Sequence, residues 1–346
     1  MCSGNERKAT VVGVQVATEP FRLAVTDPAL EQRIRDGLGA VEELLRASAR
    51  SDHPFIAETA SHLVNAGGKR FRPLLTLLAA EFGDRDAPGV VPAGAVVELT
   101  HLATLYHDDV MDEAPLRRGV PTANARWDNS IAILTGDFLF ARASQILADL
   151  GPEAVRLQAE TFERLVTGQI NECIGPKDGQ AAIDHYLSVL VDKTGSLIAT
   201  SARFGALLSG APAAVVDTLT RFGEVFGVAF QLSDDVLDIA SDSDQSGKTP
   251  GTDLREGVPT LPTLYALAST DTESARLREL LSGPITDDEL VLETLAALRA
   301  HPSIEQARDT VTRYAEEARD LLASLPDNSA KDTLLGLCDI VSSRTV

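Results

Sequence analysis

Two apolar runs that close on the same spacing of aspartates constrain this chain more than any other feature. The first, HLATLYHDDVMDEA, covers His101 to Ala114 and carries Asp108, Asp109 and Asp112. The second, FQLSDDVLDI, covers residues 230–239 and repeats the spacing with Asp234, Asp235 and Asp238. Residues four apart on a helix are one turn, roughly 6 Å, along its axis, so Asp108 and Asp112 share a face while Asp109 is turned about 100° away. Carboxylates that close repel each other unless a cation neutralises them. Oxygen ligands that leave positions open for phosphate suit Mg²⁺ better than Zn²⁺ or copper. A single cluster is compatible with a solvated acidic turn. Two, each at the end of an apolar run, predict two helices whose carboxylates face each other across the mouth of a cleft. There they would hold several metal ions and, through them, a polyphosphate.

A polyphosphate also needs cations, and the formal net charge is −20, so attraction must be local. The stretch GGKRFRP, residues 67–73, supplies Lys69, Arg70 and Arg72 directly after two glycines that permit a tight turn at a helix start. His101 lies seven residues before Asp108 and nearly on its face, which gives it a polar role in the cleft. Arg117 and Arg118 follow the first acidic cluster. The same charge argues against nucleic acid as a partner. Cys2, Cys173 and Cys338 have no metal-ligand spacing, which suggests a reducing compartment without a disulfide framework. The N-terminal residues lack the basic start and apolar run of a secretory signal, and no uncharged apolar stretch is long enough to span a bilayer. The expectation is a cytoplasmic protein with no integral membrane segment.

Residues 1–26 show no period and are expected to form an N-terminal arm, with a single domain over 27–346. Asp27-Pro28 opens a helix whose apolar positions Leu30, Ile34, Leu38, Val41, Leu44 and Leu45 recur at helical spacing. A second helix runs from about Pro54 to Asn65, Pro73 opens a third, and a Pro/Gly-rich link through residue 94 leads to the helix of the first aspartates. Further helices are predicted at about 129–150, 152–173, 181–209 and 212–240; the third of these carries Lys193 and Thr194 beside Gly195. SDSDQSGKTPGTDLREGVPTLP, residues 241–262, reads as a loop carrying Lys248 that could close over the site. Short helices joined by acidic turns follow from Leu261, and no alternating run is long enough for a strand. The fold class is all-α, a bundle of roughly a dozen helices around a deep central cleft.

Five motifs in fixed order, GGKRFRP, ELTHLATLYHDDVMDEAPLRRG, KTGSL, FQLSDDVLDI with the following GK, and TDLREGVPTLP, resemble the trans-isoprenyl diphosphate synthases, or polyprenyl synthetases, over about residues 30–345. The overall likeness is greatest to actinobacterial long-chain members. The resemblance implies the isoprenoid synthase fold, a homodimer, and condensation of isopentenyl diphosphate onto an allylic diphosphate. It implies that Lys69, Arg72, His101 and Arg118 hold the diphosphate of isopentenyl diphosphate, and that Arg117, Lys193 and Lys248 grip the allylic diphosphate. Asp108 and Asp112 would bind two Mg²⁺ ions and Asp234 a third, with Asp109, Asp235 and Asp238 in support. Thr194 and Gln231 would lie near the reacting carbons. Ser233, which precedes the second aspartates, is expected to have no consequence.

In the same family a bulky aromatic residue four or five positions before the first aspartate stops growth at short products. Thr104 and Ala103 stand there, and a small Ala103 implies a long product, about hexa- to decaprenyl, of the kind used as a quinone side chain. Three rivals remain. A short-chain synthase making farnesyl or geranylgeranyl diphosphate is opposed by Ala103. A terpene cyclase would lack the basic clamp and the intact second cluster. A non-catalytic partner subunit would have lost aspartates.

Overall fold

The first described helix begins where Asp27-Pro28 predicts. Asp27 Oδ1 accepts from Ala29 N at 2.9 Å and Pro28 occupies the first turn of α1 (Pro28–Ser48). The computed structural model describes residues 25, 27–240, 250–270 and 274–345. The expected arm, apart from Val25, and the loop residues 241–249 with Lys248 lie outside them.

The all-α class holds. After α1 come α2 (Pro54–Asn65), α3 (Phe71–Ala80), α4 (Val90–Met111), α5 (Ala123–Arg126), α6 (Asn129–Leu150), α7 (Pro152–Ile174), α8 (Ala182–Leu190), α9 (Ser196–Leu208) and α10 (Ala213–Ala240). Then follow α11 (Thr252–Glu256), α12 (Leu261–Ala268), α13 (Ala275–Leu280), α14 (Asp288–Ala300), α15 (Pro302–Leu322) and α16 (Ser329–Ser343). Four details differ from the sequence reading. Helix α3 starts at Phe71, so Pro73 sits inside its first turn, where a missing N–H costs nothing. Helix α4 starts at Val90 and carries Pro92 and Gly94 in its own first turns. The helix expected over 181–209 is interrupted by a π turn at Val191–Gly195. A two-strand hairpin, β1 (Leu116–Arg117) with β2 (Val120–Pro121), pairs Arg117 with Val120, too short to show as alternation.

The chain groups into two compact units built from interleaved segments, so no single cut in the sequence separates them. The first contains the residues up to Gln158, with Thr200–Leu219 and Ser324–Leu337. Its core gathers Val41, Leu45, Leu63, Leu99, Leu102, Tyr106 and Leu139, together with Ala103, Ala132 and Ala143. Helix α4 is apolar on nearly every side because it is buried on nearly every side. Tyr106, fully buried, donates to Thr59 O at 2.6 Å and accepts from Leu63 N at 3.2 Å, fixing the end of α2 against α4. That places the glycine turn after α2 beside the helix of the first aspartates. Helix α6 is long and apolar enough to cross a membrane by length and composition, yet it carries Asp137 and Arg142 and buries Ala132, Leu139 and Ala143.

The second unit contains Ala159–Ala199, Thr220–Ala323 and Cys338–Val346. Phe222 and Phe226, both fully buried on α10, stack with ring centroids 5.4 Å apart. Tyr265 on α12 bonds Thr310 on α15 at 3.0 Å.

Candidate active site

The first unit places the first aspartates at the point where α4 stops. Asp112 N donates to Asp108 O at 2.8 Å, Glu113 turns to φ +48, and the hairpin returns Arg117 towards the helix it has just left. Arg117 Nε donates to Asp109 Oδ1 at 2.7 Å, and its Nη2 lies 3.9 Å from Asp112 Oδ2. Asp109 is fully buried. Burial pushes its carboxyl up and Arg117 pulls it back, while its Oδ2 has no hydrogen-bond partner among the described residues. Asp108 is half-buried and Asp112 exposed. The inner aspartate is thus tied to an arginine, and the outer two occupy the face one turn apart that the spacing predicts.

The basic knot divides by backbone conformation. Arg70 adopts φ +47 and turns inward, with Nη1 2.9 Å from Glu98 Oε1, Nε 2.8 Å from Glu42 Oε2 and Nη2 3.0 Å from Val64 O. It is a buried counter-ion for two glutamates. Arg118 folds over the glycine turn, donating to Leu63 O at 3.3 Å and to Gly67 O. A Cβ on Gly68, whose φ is +151, would lie 2.8 Å from the Arg118 guanidinium carbon, so only glycine admits this contact. Arg72 is half-buried, and its Nε has no hydrogen-bond partner among the described residues. Burial brings its guanidinium down to about 10, which leaves it cationic at neutral pH. His101 is held well below the ordinary histidine value, first by burial and then by Arg72, Arg118, Arg117 and Arg70. A neutral imidazole ringed by arginines can donate one hydrogen bond to an anion without having to ionise. Lys69 is exposed at the edge of this cluster.

In the second unit, Lys193 and Thr194 sit in the π turn, and Lys193 Nζ donates to Glu172 Oε2 at 2.5 Å. The turn is pressed against α7: a Cβ on Gly168 would come within 2.6 Å of Lys193 N. Arg164 braces it, donating to Asp192 Oδ1 at 3.0 Å and to Glu224 Oε1 at 2.6 Å. In the second acidic motif the buried member, Asp235, accepts from Gln231 Nε2 at 2.9 Å and from the Tyr186 hydroxyl. With neutral partners among the described residues, burial pushes it up to about 6. The Gln231 amide, expected beside the reacting carbons, is therefore engaged by a carboxylate. Asp234 pairs with Arg344 at 3.0 Å, and Asp238 Oδ2 accepts from Asp253 N at 3.4 Å. Ser233, expected to have no consequence, is fully buried, accepts from Arg344 Nε at 2.6 Å and donates to Val341 O at 3.3 Å. Sequence reasoning passed over Glu98, Glu172, Tyr186 and Arg344, whose partners lie far away in the chain.

The sequence profile of the polyprenyl synthetase family matches residues 53–298. This chain belongs to the polyprenyl synthetase family. It is a prenyltransferase. The nonaprenyl diphosphate synthase of Mycobacterium tuberculosis is 51% identical over 97% of this chain and 98% of that protein. Among solved structures, the geranylgeranyl pyrophosphate synthase of Corynebacterium glutamicum, complexed with calcium and isoprenyl diphosphate, is 46% identical with a TM-score of 0.83, covering 92% of this chain and 98% of that one. A decaprenyl diphosphate synthase from Rhodobacter capsulatus is 36% identical with a TM-score of 0.83, covering 92% of this chain and 99% of that one.

For a polyprenyl synthetase, the residues present fit a hard divalent ion. Asp108, Asp112 and Asp234 offer only oxygen, and Asp109 keeps a buried oxygen without a hydrogen-bond partner among the described residues. Among the described residues no group of three or more His, Cys, Asp or Glu side chains could hold a metal ion alone. In each unit by itself, donors of this kind suit an ion whose coordination is completed by substrate phosphate and water, as is usual for Mg²⁺.

Proposed function

We propose that this enzyme condenses isopentenyl diphosphate head to tail onto an allylic diphosphate, with Mg²⁺, and extends it to an all-trans polyprenyl diphosphate of about hexa- to decaprenyl length, of the kind used as a quinone side chain. The observation that carries the reading is the arginine cluster around neutral His101, in which Arg72 keeps a buried N–H without a partner among the described residues, in a chain of net charge −20. A buried cationic donor of that kind is matched by an oxyanion such as a diphosphate.

Each residue then has a task. Lys69, Arg72, His101 and Arg118 hold the diphosphate of isopentenyl diphosphate. Arg117, Lys193 and Lys248 hold the allylic diphosphate. Mg²⁺ bound at Asp108, Asp112 and Asp234, three ions in all, would neutralise charge on the departing diphosphate. Asp109 and Asp235, both buried and each tied by a hydrogen-bonded partner, fix the helix turns that present those ligands, and Asp238 supports the second of them. Thr194 and Gln231 lie near the reacting carbons. Breaking the allylic C–O bond gives a carbocation; the double bond of isopentenyl diphosphate attacks it, and the proton lost leaves with the departing diphosphate. No side-chain nucleophile is required. The chain's part is to orient both diphosphates and exclude water.

A long product is supported by the small side chain of Ala103, which is fully buried in the core of the first unit, with Thr104 one position on. A short-chain, geranylgeranyl-length reading is favoured by the Corynebacterium relative, and fold likeness does not choose, because that structure and the decaprenyl synthase share a TM-score of 0.83. Incubation with Mg²⁺, farnesyl diphosphate and labelled isopentenyl diphosphate, followed by chain-length analysis, decides. Six to ten isoprene units are expected; four or fewer would refute the Ala103 argument, and no condensation would refute the reading. The enzyme is also proposed to be a cytoplasmic homodimer. Exposed apolar residues on α6 (Ile133, Leu134) and on α7 (Val166, Ile170, Ile174) support the dimer, which sedimentation would test.

A further inference from the structure

Asp234 is half-buried, and the cation paired with it is Arg344, the residue that follows α16. Arg344 Nη2 lies 3.0 Å from Asp234 Oδ1. The same guanidinium donates through Nε to Ser233 Oγ at 2.6 Å and through Nη2 to Phe230 O at 2.9 Å, and its carbon stands 4.7 Å from the centre of the Phe230 ring. Its side chain is only 16% exposed. Ser233 is anchored in turn to Val341 O, one turn before Arg344.

An exposed ion pair contributes little, because two long side chains must be held in one geometry. Here three contacts that do not involve Asp234 already hold the guanidinium. Its orientation is set before it meets the carboxylate, so the pair fixes Asp234 and Asp234 does not fix the pair. The planar fork is essential: hydroxyl, carbonyl and carboxylate are met by one rigid group, which a lysine ammonium could not reproduce.

We infer that Arg344 is a positioning residue for the second carboxylate cluster: it takes Oδ1 of Asp234, fixes the carboxylate against α10, and leaves Oδ2 as the oxygen that binds metal. The inference rests on the proposed role of Asp234 as a metal ligand. Ser233 acts with it as the anchor on α10, which gives this position a function that its neutral side chain conceals.

Two measurements test it. In metal-free buffer, thermal unfolding of the wild type, Asp234→Asn, Arg344→Gln and the double variant forms a cycle; the double variant is expected to lose less than the two singles together, and additive losses would deny the pair. With substrates, Arg344→Gln should raise the Mg²⁺ concentration for half-maximal prenyl transfer by about 10-fold, the size of effect seen when a group orienting a metal ligand is lost. The KM for isopentenyl diphosphate should stay unchanged. Ser233→Ala should move the Mg²⁺ requirement the same way by less, and Arg344→Lys should recover little. An unchanged or lowered Mg²⁺ requirement, a KM that rises in parallel, or full recovery by lysine would overturn the inference. A wild-type chain that condenses nothing would refute the proposed function instead, while the metal-free cycle would still report on the pair.

Discussion

The two DDxxD motifs are alike in sequence and unlike in chemistry. In the first, the buried aspartate, Asp109, is met by a cation, Arg117, and the motif lies where its helix ends. In the second, the buried aspartate, Asp235, is met by a phenol and an amide, the neighbouring Asp234 takes the arginine, and α10 continues to Ala240. Spacing decides which carboxylates share a face. The partners decide how each buried carboxyl answers to burial, which raises both: Asp109 is drawn back by Arg117, and Asp235 is pushed up to about 6 beside Tyr186 and Gln231.

The largest expected effect falls on the outer aspartates. Asp108→Ala and Asp234→Ala should each lower turnover by about 100-fold or more with the helical circular dichroism unchanged, the loss typical of one well-placed electrostatic contact in catalysis. Near-normal turnover in either would end the metal assignment for that motif alone. The inner aspartates sharpen the contrast. Arg117→Gln strands a buried carboxylate and should cost about 3 kcal/mol in urea unfolding, at the low end for breaking a buried pair because the arginine is partly exposed. Tyr186→Phe leaves Asp235 its bond from Gln231 and should cost about 1.5 kcal/mol. Equal costs would mean that a charged and a neutral partner serve the two motifs alike.

Ala103→Phe overpacks the core of the first unit, with an expected cost of about 2 kcal/mol, and should shorten the product. An unchanged product distribution would move the limit on chain length elsewhere. The smallest effect is that of pH on His101. Its folded value lies below the ordinary 6.5, so its stabilising contribution is complete above 6.5 and is lost as the pH falls towards the folded value. Between pH 7.5 and 5.5 the wild type should lose about 1 kcal/mol more than His101→Gln, since at most about 1.4 kcal/mol is lost per pH unit below 6.5. Parallel losses would show that the arginine ring does not keep this histidine neutral.

Much of the fold was legible because helices announce themselves locally. Asp27-Pro28 marks the start of α1, and the bounds read for α6, 129–150, agree with Asn129–Leu150. The π turn was not legible: its residues suit an α-helix, and only Gly195 hints at the break. Within the basic knot, sequence groups Arg70 with Arg72, and the left-handed backbone at Arg70 is what sends one to buried glutamates and leaves the other with an Nε unmatched among the described residues. Arg344 and Tyr186 were beyond reach for a different reason. Their partners Ser233 and Asp235 are 111 and 49 residues away in the chain, and no short pattern encodes such a meeting.

The π turn at Val191–Gly195 has a further consequence for how this chain tolerates change in length. A π turn carries one residue more than the α turn it replaces. Deleting a single residue there would turn it into a regular α turn, with better local hydrogen bonding and the flanking helices left in phase. What would change is the widened turn itself, and with it the backbone that carries Lys193 and Thr194. The turn thus stores one residue of surplus length between two helices, and a one-residue deletion here should cost the placement of Lys193 rather than the fold.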